Sequence, residues 1–148
     1  MKKYFITGAI VSFLVIFNLG YVFHELLMGD FFKRNIGPLQ RDSYNIPLIA
    51  LAFILYTLFQ AYFLPIYYAY ARQHYRWSLT ATAIVFGAIV GFFWDGLQGG
   101  MIEVATFKMP AIVCWVDSGY HTLEGVIMAL ILSFFYRKYA WQPPQINF

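Results

Sequence analysis

The sequence predicts an all-α fold: a bundle of four transmembrane helices, antiparallel and up-and-down, with both termini on the inner side of the membrane. Three observations lead there. Apolar residues make up 61% of the 148 positions and charged ones 11%, against roughly 25% charged in soluble domains. Four stretches, 4–27, 46–70, 77–102 and 111–136, each reach the roughly 20 mostly apolar residues that cross a bilayer. The links "ARQHYR" and "EVATFKMP" are short enough to force antiparallel neighbours, so the chain reads as one integral membrane domain.

The first stretch, "MKKYFITGAIVSFLVIFNLGYVF", starts like a signal peptide. Its apolar run exceeds the usual apolar region of about 7–15 residues and no small-x-small cleavage site follows, so a retained helix is expected. Before the second stretch, "GPLQRDSYNIP" carries turn chemistry. Asn45 is placed to cap the helix with Pro47 in its first turn. Pro65, late in the same stretch, is expected to kink it. In the third, Ala83, Gly87, Gly91, Asp95 and Gly99 recur every four residues, and small residues at that spacing let helix backbones approach closely. That face could serve internal packing or a homodimer. The fourth contains "CWVDSGYHTLEG", in which Asp117, His121 and Glu124 share one helix face with Cys114 and Met128.

Orientation follows from Lys and Arg. Lys2, Lys3, Arg72, Arg76, Arg137 and Lys138 lie on one side, and Lys33, Arg34, Arg41 and Lys108 on the other. The richer side is expected in the cytoplasm, and Tyr67, Tyr68, Tyr70, Tyr75, Trp77, Tyr136, Tyr139 and Trp141 gather there as an interfacial belt. The net charge of +3 then reflects orientation and headgroup contact. No basic run with interleaved aromatics suits nucleic acid. A single cysteine, Cys114, excludes an internal disulfide and paired-thiol redox chemistry.

Ionisable groups facing lipid cost several kcal/mol each and usually turn toward a bundle interior. The expected lining of an outward-opening polar cavity is therefore Asp117, His121 and Glu124 of the fourth span, Trp94, Asp95 and Gln98 of the third, and Asn18, Tyr21, His24 and Glu25 of the first. Thr57 and Gln60 come from the second, and Trp115 and Tyr120 add aromatic walls. At about 1.5 Å per residue, Glu25 falls roughly 5 Å below the outer end, Asp95 and Asp117 near 10 Å, Asn18 and His121 near 15 Å and Glu124 near 20 Å.

Several chemistries suit such a set. His121, Glu124 and Asp95 are candidate metal ligands, although H-x-x-E occurs once, without the second copy of di-metal bundles. Haem would take His24 and His121 as axial ligands, and their roughly 10 Å difference in depth argues against a shared iron. A carboxylate beside an imidazole can exchange protons near neutral pH, which suits binding or translocation of a small ligand or ion, with proton coupling. Asp117, His121 and Glu124 could equally act as acid and base on a lipid-soluble substrate. No nucleophile elbow, phosphate loop or dinucleotide fingerprint is present. The cofactor, if one exists, is not specified.

"FFWDG" late in the third span, then "ATFKMP" and "VDSGYHTLEG", resemble small bacterial four-helix membrane families of unknown function. In these a third-span Asp is followed by a Thr-containing loop, a Pro and a fourth span with an early Asp. The resemblance covers mainly the second half of the chain. It implies a four-helix fold in the bacterial inner membrane and specifies no reaction. The leading expectation is a membrane protein that binds or translocates a small ligand or ion. The alternatives are an acid/base or metal-assisted membrane enzyme, and an accessory subunit of a membrane complex.

Overall fold

A computed structural model of the chain describes residues 2–39 and 43–138. The described residues are all helical in architecture, with α1 (Lys2–Tyr21), α2 (Gly29–Ile36), α3 (Ile46–Tyr75), α4 (Leu79–Ile89), α5 (Gln98–Thr106) and α6 (Ala111–Lys138). Wider π-helical turns continue α1 through Val22–Leu27 and join α4 to α5 through Val90–Leu97. The Phe5–Leu27 stretch, α3 and α6 are long and apolar enough to cross a membrane. The expected third span is a helix in three pieces, α4, the π-helical stretch and α5, of which Leu79–Phe93 is a shorter apolar segment. Helix α2 lies in the connection between the first two apolar stretches. Tyr139, Trp141 and Arg41 lie outside the described residues.

The local signals explain the boundaries. The Asn45 side chain accepts from Leu48 N at 3.1 Å to cap α3, with Pro47 in the first turn. Ser78 does the same for α4 through Ala81 N at 3.1 Å. Arg76 closes α3 with a left-handed φ of 57°, the conformation that commonly ends helices. Residues 76–78 alone join α3 to α4, so the chain reverses there at once.

Helix α6 is the central element, packed against α1, α3, α4, α5 and the second π-helical stretch. Its closest neighbour is the small-residue face of α4. A Cβ on Gly87 would lie within the Gly125 backbone, and one on Gly91 would lie within the His121 carbonyl. Residues 87 and 91 meet 125 and 121 in reverse order, so the two helices run antiparallel. The Gly87/Gly91 face is thereby occupied inside the molecule and is not open to a second copy.

Polarity is inverted relative to a soluble bundle. Ile6, Ile10, Leu14, Leu51, Leu55 and Leu58 are exposed, whereas Ser12, Thr57, Gln60, Thr82, Ser118, Glu124 and Ser133 are buried. An apolar exterior of this extent needs a non-aqueous surrounding, while several interior groups, such as the Ser133 and Tyr136 hydroxyls, donate to backbone carbonyls.

Pro65 shows how. Helix α3 runs through it unbroken, yet proline has no N–H for the carbonyl four residues back. That carbonyl belongs to Ala61, and it accepts from Tyr136 Oη of α6 at 2.5 Å. Both partners are fully buried. A Tyr136→Phe protein should therefore lose about 1–3 kcal/mol of stability, the cost of a buried acceptor without a donor. Thermal unfolding in mild detergent reads this directly, and an unchanged midpoint would show that the hydroxyl contributes nothing.

Candidate functional site

The inward stripe of α6 is where it was expected. Cys114, Glu124 and Met128 are buried, and Asp117 and His121 are half-buried at the end of the bundle nearest α2. Side chains lean toward the N-terminus of their own helix. On antiparallel α1 and α6 this brings groups from different levels toward each other. His24 and His121 accordingly have ring centroids 6.4 Å apart, and the depth offset expected from helical rise alone is not observed.

The first π-helical turn presents both Phe23 and His24 to α6 and turns Glu25 outward. His24 Nε2 lies 3.6 Å from Asp117 Oδ1, and Asp117 Oδ2 lies 3.5 Å from His121 Nε2. His121 Nδ1 is 2.7 Å from Glu124 Oε2, and Tyr120 Oη donates to Glu124 Oε1 at 2.9 Å. Side-chain exposure falls along this series, from 34% at His24 to 24% at Asp117, 14% at His121 and 0% at Glu124. With Glu124 as a carboxylate, His121 Nδ1 is the donor and its Nε2 lone pair faces Asp117.

Aromatic rings enclose the histidines. Phe23 stacks on Tyr120 with centroids 4.2 Å apart and planes 12° apart. Phe32, buried on α2, lies 4.9 Å from the His24 ring, which also meets Tyr120 edge-on at 5.2 Å. A half-open depression of about 320 Å³ reaches His24 from the surface, lined by His24, Glu25, Leu26, Leu27, Gly29, Asp30 and Lys33. Glu103, at the end of α5, faces the same region. Crowding by the chain and then the like charge of Asp117 raise its carboxyl above the ordinary value, while His121 draws it down.

Other expected site residues stand apart. Asn18 is exposed and donates to Leu14 O of its own helix at 2.7 Å. Tyr21 and Trp115 are 61% and 57% exposed. Glu25 turns outward, where Tyr44 Oη donates to it at 2.5 Å. Asn18, Tyr21 and Glu25 do share a face, as their spacing implies, but it is the outer one, and the neighbouring His24 is the residue that enters the bundle. Trp94, Asp95 and Gln98 have helical backbones, and their side chains lie outside the description. Thr57 and Gln60 are buried as expected.

Among the described residues, His24, Asp117 and His121 form a group able to hold a metal ion, with ligand atoms all within 4.8 Å of one another. This differs from the expected trio of His121, Glu124 and Asp95. Glu124 engages the other nitrogen of His121. Phe23 and Phe32 were missed in the sequence reading. For Phe32 the available signal was the run "GDFFKRNI", whose helical spacing sets Phe32 and Ile36 opposite Asp30 and Arg34; Phe23 carried none.

Comparison with protein-family models, curated proteins and solved structures finds no match for this chain.

Proposed function

We propose that this chain is a four-span protein of the bacterial inner membrane, N-in and C-in, which binds or translocates a small ligand or ion through a cavity opening on the outer side. The observation that carries the reading is the continuous series His24–Asp117–His121–Glu124, which passes from a surface depression to a fully buried carboxyl. Such groups are costly within a bilayer and are retained where they serve a path or a site. For the third span, α4 to α5 supplies an almost continuous helix, and residues 77–102 are long enough for the crossing. The basic 72–76 and 137–138 ends support the assigned orientation.

The test is a panel of probes added to the purified full-length chain in detergent: sodium, potassium, magnesium, zinc, cobalt(II), small primary and quaternary amines, and small carboxylates. At a hundred times its dissociation constant, a ligand of the native state adds about 2.7 kcal/mol, or a rise of roughly 5–10 °C in Tm for a domain of this size. At least one probe should produce such a rise in the natural chain and none in Asp117→Asn. A flat response across the panel, or an equal rise in Asp117→Asn, overturns the reading.

A further inference from the structure

The geometry points to a divalent first-row transition-metal ion, of the zinc class, as the occupant of this mouth. His24 Nε2, His121 Nε2 and one oxygen of Asp117 are its ligands. The inference rests on the cavity proposed above and names the ligand within it.

Three observations carry it. Asp117 reaches both imidazoles through different oxygens, Oδ2 to His121 Nε2 at 3.5 Å and Oδ1 to His24 Nε2 at 3.6 Å. Those distances are too long for hydrogen bonds, and charge-assisted ones would close to about 2.7–2.9 Å. Four-coordinate zinc with bonds of about 2.0–2.1 Å sets neighbouring ligand atoms about 3.4 Å apart, close to the observed spacing. Taken as one atom per residue, the two imidazole nitrogens and an Asp117 oxygen all lie within 4.8 Å of one another, and a shared ion would draw them in to that tetrahedral spacing. Second, Asp117 Oδ1 is buried and has no hydrogen-bond partner, a costly state for an anionic oxygen that a cation would remedy.

Third, His121 is held in the form a metal requires. Its Nδ1 is engaged by Glu124 at 2.7 Å, which directs the Nε2 lone pair at the gap. A carboxylate on the far nitrogen of an imidazole ligand fixes its tautomer and raises its basicity. Tyr120 in turn holds Glu124 at 2.9 Å. His24 is enclosed by the Phe23, Phe32 and Tyr120 rings around it. Two imidazoles and a carboxylate leave one tetrahedral position for water or a substrate atom. The depression beside His24 gives that position an approach from the surface.

Cobalt(II) titration of the purified full-length protein tests this, because four-coordinate cobalt gives strong visible d–d bands that zinc quenches by displacement. The natural chain should take up one cobalt ion with such bands. His24→Gln and Asp117→Asn should lose them while keeping their helical circular dichroism. Glu124→Gln should weaken cobalt binding about 10–100-fold without moving the bands. His74→Gln, near the C-terminal end of α3, should bind as the natural chain does. Absence of bands in the natural chain, or their persistence in both His24→Gln and Asp117→Asn, overturns the metal site. A Tm rise with an amine or carboxylate probe and no cobalt bands would overturn the metal while sustaining the cavity. A flat response to every probe would end both.

Discussion

Replacing Gly91 by alanine is expected to destabilise the protein by about 3 kcal/mol, the upper range for overpacking a close contact, and to disturb the site together with the fold. The added methyl would lie within the His121 carbonyl and press on Thr122 Cα. Both are backbone atoms of a central helix, so no side-chain rotation relieves the contact. Either α4 moves away from α6, or the α6 turn carrying His121 bends. Each displaces the imidazole relative to Asp117. Thermal unfolding in detergent, with cobalt titration on the same sample, measures both effects. Gly99→Ala is the control on the same stripe, since a methyl there meets nothing within 4 Å. A Gly91→Ala protein as stable as Gly99→Ala would show that the two helices are farther apart than described.

Glu124→Ala should be comparably severe for a different reason. The side chain is fully buried and engages two groups, Tyr120 Oη at 2.9 Å and His121 Nδ1 at 2.7 Å. Truncation strands both in the interior and opens a cavity beside Gly125. Breaking a buried polar pair from one side costs about 3–5 kcal/mol. Glu124→Gln retains an acceptor for one partner and should lose about half as much or less. The ordering is measured by unfolding midpoints of the three proteins. Equal stability of Glu124→Ala and the natural chain would mean that Glu124 faces outward and makes neither contact.

The long apolar helices were readable because composition and span length respond to the bilayer alone. Asn45, Pro47 and the Ala83–Gly87–Gly91 face were readable for local reasons, capping chemistry and a period of four. The stripe of Asp117, His121 and Glu124 could be assigned to the interior because burial of charge is so asymmetric in energy. Partner choice across helices was harder. Whether His24 or Glu25 turns inward depends on a π-helical turn, which shifts the face by a fraction of a turn and leaves no mark in the hydrophobic pattern. The meeting of His24 with His121 depends on opposed side-chain lean in antiparallel helices, which counting depth along each helix separately omits. The role of Phe32 depends on how a short helix folds back over the bundle end. That is a tertiary fact with only a weak local signature.

The Tyr136 hydroxyl that substitutes for the amide missing at Pro65 has an evolutionary consequence. In a chain where residue 65 reverts to an ordinary amino acid, the Ala61 carbonyl regains its helical partner and phenylalanine at 136 becomes harmless. Proline at 65 with phenylalanine at 136 should be the disfavoured combination among descendants of this sequence, so the two positions are bound to drift as a pair although 71 residues separate them (136 − 65).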